Sequence, residues 1–200
     1  MKATKENLKK IIFVLILIAV ILTAVILYFS KAKYNELYFD YNGFEVRRTN
    51  TGYRMKIFIN ENKDANYINI RTDPRELESI YIEKGIKDLI LNKEEIYVVI
   101  DPYENLSSVA TMAALEIDSK LDNPFLFDIP VKSAFVKKQG ETIVKTCKDV
   151  NETSGVIWLR LRNETRVYEE NKCIFLEGST EFELVKAADK LVLVLLGLSN

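Results

Sequence analysis

The sequence predicts an α/β or α+β domain with a mixed sheet, preceded by one transmembrane helix. Three patterns indicate this. Residues 11–29 form one uncharged apolar stretch, residues 36–70 alternate apolar and polar side chains between turn signals, and residues 96–196 switch between short β-branched runs and helical spacing. We expect an antiparallel meander first and two to three packed helices after it.

The apolar stretch of residues 11–29 is interrupted by Thr23 and the hydroxyl of Tyr28 alone. As a helix it spans about 29 Å, close to the hydrocarbon thickness of a bilayer. A cleaved signal peptide would have a shorter apolar region and small residues at its exit, whereas residues 28–31 are Tyr-Phe-Ser-Lys. A buried core helix would show a polar face. We therefore interpret the stretch as an uncleaved signal anchor.

The lysines around this stretch predict its orientation. More lysines precede it than closely follow it, and the positive-inside rule then favours a cytoplasmic N-terminus. We expect residues 1–10 in the cytoplasm, residues 11–30 in contact with bilayer lipid, and residues 31–200 as a single extracytoplasmic domain of a single-pass cell-membrane protein. The lysines are Lys2, Lys5, Lys9 and Lys10 before the stretch, and Lys31 and Lys33 after it.

A four-stranded meander is predicted directly after the anchor. Asn42-Gly43 is a strong type I′ hairpin signal, because both residue types tolerate positive φ. Polar turns follow at residues 49–52 and 60–64. The predicted strands are residues 36–41, 44–49, 53–59 and 67–70.

The second half of the chain has an α/β pattern. Asp73, Pro74 and Glu76 predict a short helix with a capping box. The run at residues 96–100 is typical of a strand buried on both faces, and apolar residues then recur at helical spacing from Asn105. Helices are predicted at residues 86–91, 105–121 and 180–196, and strands at residues 80–82, 134–137, 142–145, 156–161, 166–168 and 173–176. The last helix has a capping box from Thr180 to Glu183 and an apolar end too short to cross a bilayer, so we expect it to be buried or to face a partner.

The composition excludes several classes of protein. The chain has no histidine, which removes Ser-His and Cys-His catalysis and imidazole-ligated metals. Two cysteines alone cannot build a structural zinc site or an iron–sulfur cluster. A net charge of −1 argues against a nucleic-acid partner. We expect no cofactor and no metal site, although carboxylate chemistry with Mg or Ca stays open.

Cys147 and Cys173 are the only cysteines. In an oxidising compartment they predict a disulfide that contributes about 3.5 kcal/mol through loop closure. The alternative is two unrelated buried thiols. Asn151 and Asn163 begin sequons and are candidate glycosylation sites, while Asn105, which begins a third, is expected to start a helix.

Two clusters are candidate ligand sites. Asp101 follows a buried strand, where open α/β sheets bind ligands, and Glu104, Ser107 and Ser108 come next. The alternative is that Asp101 forms a turn and the serines cap a helix.

The second cluster consists of Arg71, Asp73 and Arg75, which can grip an anionic group. Its alternative is a capped helix start with an internal ion pair. Residues 177–180 form a weaker candidate of the same kind. No catalytic residue is assigned.

The layout resembles uncharacterised membrane-anchored, disulfide-containing α/β proteins of small-genome archaea. The resemblance implies an exported domain with a disulfide and implies no known activity. It is carried by Tyr-Asn-Gly-Phe at residues 41–44, Arg-Thr-Asp-Pro-Arg at residues 71–75, the cysteine pair, and the Ala-Asp-Lys and Leu-Leu-Gly-Leu segments that end at Leu198.

Two functions are consistent with these features. The first is a non-enzymatic interaction or structural domain, tethered to the membrane and acting in an envelope or membrane complex with a protein partner. The alternative is a carboxylate-dependent envelope hydrolase with its site near Asp101.

Overall fold

The computed structural model describes the backbone of residues 2–58 and 65–199, and the side chains of residues 10, 13–34, 37–58 and 66–199. The predicted turn at residues 60–64 and Ile59, the last residue of a predicted strand, lie outside the described residues. The chain divides into two compact units, one up to Phe39 and one from Asp40 onward.

The first unit is built on helix α1, Lys2–Leu37. Within the described residues, one helix is long and apolar enough to cross a membrane, over Phe13–Tyr34, and every side chain of that segment is exposed. The helix continues past the predicted anchor because residues 31–37 contain neither glycine nor proline. The prediction of a strand from residue 36 was therefore wrong at its start, which lies at Tyr38.

The predicted meander forms a sheet of its own. In the described residues its strands pair in chain order, with an antiparallel register that aligns Val46 with Met55 and Met55 with Ile68. These three side chains are buried, so one face of the sheet carries the core. Asn42 and Gly43 both have positive φ, as the turn requires. The strands are β1 Tyr38–Tyr41, β2 Phe44–Thr49, β3 Gly52–Phe58 and β4 Ala65–Ile70.

A second, mixed sheet follows, with the order β5-β9-β10-β8-β6-β7 across the described strands. Strands β6, β7, β8 and β10 are mutually parallel, β9 is antiparallel to β10, and β5 is parallel to β9. The mixed α/β fold class is confirmed. The strands are β5 Tyr81–Ile82, β6 Glu95–Ile100, β7 Val131–Phe135, β8 Ser154–Leu161, β9 Arg166–Glu170 and β10 Cys173–Gly178.

Three helices cover one face of this sheet. They are α2 Ile86–Leu91, α3 Ser108–Leu121 and α4 Glu181–Leu195. The alternation predicted for β8 is confirmed, because Ile157 and Leu159 face these helices while Val156 and Trp158 face the other side. The end of α4 is buried, so it is a core helix.

The opposite face is covered by the chain segment after β7, which includes the 3-10 helix Cys147–Asp149. Cys147 and Cys173 form a disulfide with a Cα–Cα distance of 5.1 Å, so the predicted pairing is confirmed. The bridge attaches this segment to the first residue of β10.

Three predicted elements differ from the structure, one of them being strand β7, which spans Val131–Phe135 rather than residues 134–137. Helix α3 begins at Ser108 rather than at Asn105, because Asn105 has φ of 53° and the Ser107 side chain supplies the cap. Residues 142–145 form no strand, since Val144 makes only an isolated bridge to Phe135. The predicted helix after Asp73 is one 3-10 turn, Pro74–Leu77, and Asp73 caps it through the backbone N–H of Arg75.

Candidate functional site

The carboxyl ends of β6, β7, β8 and β10 meet at one edge of the mixed sheet, which we call the crest. In open α/β sheets this is the edge where ligands bind. Asp101 follows β6, Lys137 follows β7, Arg162 follows β8 and Glu177 lies at the end of β10. Charged side chains from four separate chain segments thus come to the same place.

Asp101 is held by its neighbours at the crest. Lys137 donates to its Oδ2 at 2.6 Å, and the backbone N–H of Tyr103 donates to its Oδ1 at 3.0 Å. The hydrogen bond from Lys137 and the one from Tyr103 hold the pKa of Asp101 below its ordinary value. Asp101 is therefore an ionised, paired carboxylate rather than a proton donor.

The segment after Asp101 makes two further contacts. Glu104 accepts a hydrogen bond from Arg162 at 2.7 Å through Oε1. Ser107 caps α3 and donates to Glu181, at the start of α4, through both its N–H, at 2.8 Å, and its hydroxyl. The hydroxyl bond from Ser107 lowers the pKa of Glu181. Ser107 thus joins two helix starts.

The most buried charge at the crest is Glu177, with 1% of its surface exposed. Arg160 donates to one carboxylate oxygen at 2.7 Å, Arg166 donates to the other at 2.8 Å, and the Tyr168 hydroxyl lies 3.1 Å from the first. Burial alone would raise the pKa of Glu177, but the hydrogen bonds from Arg166 and Arg160 outweigh it and lower the pKa. The group is a charge network that ties β8, β9 and β10 together.

Aromatic rings fix the orientation of the two guanidinium groups. Arg160 lies 3.9 Å from the ring centre of Phe175, and Arg166 lies 4.6 Å from that of Tyr168. Guanidinium groups at these distances from an aromatic ring make favourable cation–π contacts.

The crest as a whole is a set of compensated charge pairs. Asp101, Glu104 and Glu177 each have a basic partner within 3 Å. Within the described residues, no three His, Cys, Asp or Glu side chains come close enough together to hold a metal ion. The described pairs hold loops and strands in place.

The second predicted cluster does not converge on one point. The backbone N–H and guanidinium of Arg75 both bond to Asp73, whereas Arg71 donates to Glu116 on α3 at 2.6 Å. Burial alone would raise the pKa of Asp73, and the bonds from Arg75 lower it. The geometry is that of a capped turn with its own ion pair, in which Arg71 points elsewhere.

Behind this turn lies a buried carboxyl group that is not among the predicted candidate sites. Asp189 on α4 is fully buried, and its Oδ2 accepts from the backbone N–H groups of Arg71 at 3.2 Å and Thr72 at 2.8 Å. Its Oδ1 is buried without a hydrogen-bond partner among the described residues. Burial, opposed by the bond from Thr72 and helped by the nearby Glu116, raises the pKa of Asp189 to about 6.

Both candidate glycosylation residues lie on the surface. Asn151 is exposed, and its side-chain oxygen accepts from the backbone N–H groups of Thr153 at 2.9 Å and Ser154 at 2.8 Å in a tight turn. Asn163 is exposed in the loop between β8 and β9.

Sequence reasoning missed the partners of Glu177, since Arg160 and Arg166 come from two other strands. The available signal was a glutamate inside the apolar run Cys-Ile-Phe-Leu-Glu-Gly. A carboxylate in a buried strand requires a basic partner. For Asp189 the signal was an acidic residue within the apolar run of the last helix.

Comparison with known protein families, curated proteins and solved structures found no match to this chain.

Proposed function

We propose that this chain is a signal-anchored, single-pass membrane protein whose folded unit lies outside the cytoplasm and acts as a non-enzymatic interaction domain in an envelope or membrane complex. The observation that carries the proposal is the Cys147–Cys173 disulfide. Such bonds persist in oxidising compartments and are rare in the cytosol. A disulfide in a domain that follows a helix able to span a membrane is typical of an exported, tethered protein.

The distribution of lysines supports the same orientation. Four of the first ten residues are lysines, and they are absent from residues 11–30. Positive charge next to a transmembrane segment is retained on the cytoplasmic side. The folded unit then follows the segment across the membrane.

An interaction role is supported by the state of the crest. Asp101 is paired with Lys137 and Glu177 with two arginines, and these contacts hold both pKa values below their ordinary values, away from the neutral range that suits a general acid. A tether, by contrast, raises the effective concentration of the folded unit near partners in the same membrane. The folded unit then provides the surface that these partners contact.

Thiol labelling tests the oxidising compartment. Membranes from cells that produce the full chain are denatured and treated with a maleimide-polyethylene glycol reagent, with and without prior reduction. We expect no labelled band before reduction and a doubly labelled band after it, since Cys147 and Cys173 are the only cysteines. The matched control is Cys147→Ser, which leaves Cys173 labelled under both conditions. Double labelling of the unreduced parent chain would contradict the proposal.

A membrane-impermeant maleimide tests the orientation directly. In the background Cys147→Ser with Cys173→Ser, one variant carries Glu164→Cys, at a side chain that is 72% exposed, and another carries Ala3→Cys. In intact cells we expect labelling of the first variant and not of the second. The reverse pattern would place the folded unit in the cytoplasm.

A further inference from the structure

The open edge of the mixed sheet is a second feature of the folded unit, distinct from the crest. Strand β7 is the last strand in the sheet order. Pro130 accepts from Ile96, and the N–H of Val136 bonds to Ile100, so the even-numbered residues of this segment bond toward β6. Val131 and Ser133 therefore turn their N–H and C=O groups outward, where no described strand pairs with them.

Part of this edge is already covered. Phe135 exchanges backbone hydrogen bonds with Ile143 and Lys145, at 2.9 Å each. The loop thus closes the upper end of the edge and leaves Val131 and Ser133 open. Ser133 is exposed, and no described side chain bonds to its backbone.

An apolar groove of about 410 Å³ lies beside the open edge. Its floor is Val98 and Ile100 of β6, and small residues of α3 form its wall. The groove exists because α3 has small side chains where a larger one would reach the edge strand. The wall residues are Ala110, Thr111 and Ala114, and Phe135, Thr142 and Ile143 close the upper end.

A strand added to β7 would pair with the open backbone groups and also fill the apolar groove. Its backbone would pair with Val131 and Ser133, and alternate side chains would point into the groove, since successive residues of a strand face opposite sides. Main-chain pairing of this kind gives affinity, and the pocket for alternate side chains gives selectivity.

The charge around the edge selects the occupant. Residues 130–148 contain five lysines and one glutamate. Lys132 is paired with Glu95 and Lys137 with Asp101, both among the described residues, and the segment keeps a positive excess after these pairs are counted. A second copy of this chain is disfavoured, because pairing through the same edge would bring the lysines of both copies together.

We propose that the β7 edge is a docking site for an extended protein segment of alternating apolar and acidic residues, which adds to the mixed sheet as a further strand. The inference rests on the proposed function and names the surface and the class of partner that it requires. The apolar side chains occupy the groove, and the acidic ones face the lysines.

The probe is a fluorescein-labelled peptide of about six residues, the usual length of a strand, in which valine and glutamate alternate. Binding to the full chain in neutral lipid nanodiscs is followed by fluorescence anisotropy, with empty nanodiscs as the blank. We expect saturable binding that weakens about tenfold when lysine replaces glutamate in the peptide. Absence of binding, or equal binding of both peptides, would overturn the proposal.

Two variants locate the site. Ser133→Pro removes an outward N–H without removing a bond to β6, and we expect about tenfold weaker binding, while Ser133→Ala binds like the parent. Thr111→Phe fills the groove and also weakens binding about tenfold, whereas Ser119→Phe, at an exposed residue of α3 outside the groove, does not. If Ser133→Pro does not fold, the comparison of Thr111→Phe with its control Ser119→Phe still tests the site. Unchanged binding in Thr111→Phe would place the peptide elsewhere.

Sedimentation of the full chain in detergent tests whether a second copy of the chain, and not a distinct partner, occupies the β7 edge. Self-association that Ser133→Pro abolishes would show that a second copy fills the edge and would overturn the proposal of a distinct partner. Failure of peptide binding together with the expected thiol and topology results would reject the docking site alone. A cytoplasmic folded unit would reject the proposed function first.

Discussion

Asp189 is the residue at which burial and hydrogen bonding conflict most. Its carboxyl group holds the chain where the meander joins the second half of the folded unit, through the backbone N–H groups of Arg71 and Thr72. Burial raises its pKa from 3.8 to about 6. The folded chain thus binds the proton more tightly than the unfolded chain does. The free energy of unfolding contributed by this group falls as pH rises from about 4 to about 6, and stays low above that range.

Replacement of Asp189 by asparagine tests this account. The amide oxygen still accepts from the two N–H groups, and the buried charge present at pH 7.5 disappears. We expect Asp189→Asn to be at least as stable as the parent at pH 7.5, by up to about 3 kcal/mol, and to lose the parent's stability change between pH 4 and pH 6. Urea unfolding of the full chain in detergent, followed by the fluorescence of Trp158, measures both. The control Asp189→Ala also lacks the titrating group but removes the acceptor, so we expect it to be less stable than Asp189→Asn by about 2 kcal/mol at either pH. An asparagine variant with the parent's pH profile would contradict the account.

At the scale of elements, Glu177 is the contact that joins the antiparallel strand β9 to the parallel strands β8 and β10. Its two oxygens are occupied by arginines from β8 and β9. Because this network lowers the pKa of Glu177, its contribution is present above about pH 4.5 and is lost as pH falls further.

Removing the charge of Glu177 should loosen these strands. We expect Glu177→Gln to reduce the free energy of unfolding by about 3 kcal/mol, because the largely buried guanidinium of Arg160 loses its counter-charge. The matched control is Glu164→Gln, which also removes a partner of Arg166, at 3.2 Å, but from the surface. We expect Glu164→Gln to reduce the free energy of unfolding by less than about 0.5 kcal/mol. Equal losses in the two variants, measured by Trp158 fluorescence in urea, would show that burial of the pair is unimportant.

Local patterns were enough to predict most elements. The alternation of Ile157, Trp158 and Leu159 predicts a strand and its two faces, and Asn42-Gly43 predicts the first turn. These signals are local, because the spacing of apolar residues and the residue types of a turn are both read from neighbours in sequence. Boundaries were less predictable. Asn105 lies within the apolar periodicity of α3, yet the cap belongs to Ser107, whose hydroxyl and N–H also bond to the distant Glu181.

The candidate sites were harder to predict, because their contacts join distant segments. Asp101 was found from its place after a buried strand, but Lys137, its partner, is 36 residues away. The order of strands that brings β7 to the edge follows from crossovers between parallel strands, which leave no mark on any single strand. The separation of the meander into its own sheet is a consequence of the same long-range pairing.

At the scale of the whole molecule, the hydrophobic core belongs to the second unit. The described buried apolar residues run from Tyr41 to Leu198. The ends of this unit also meet, since Asn42 donates to the backbone C=O of Leu198 at 3.0 Å. In α1, by contrast, the described apolar side chains from Phe13 to Phe29 are exposed. A helix with an apolar surface on all sides requires a lipid environment or a partner.

A shortened chain of residues 38–200 therefore should fold without α1. It retains every described strand, both cysteines and all of the described buried apolar residues, and refolding in an oxidising buffer restores the Cys147–Cys173 disulfide. We expect it to stay in the supernatant after alkaline extraction of membranes, whereas the full chain stays in the pellet. Its urea transition, followed by Trp158 fluorescence, should have the midpoint of the full chain in detergent, because α1 adds no apolar residue to the described core. A shortened chain that aggregates, or that unfolds at a clearly lower urea concentration, would mean that α1 contributes to the stability of the folded unit.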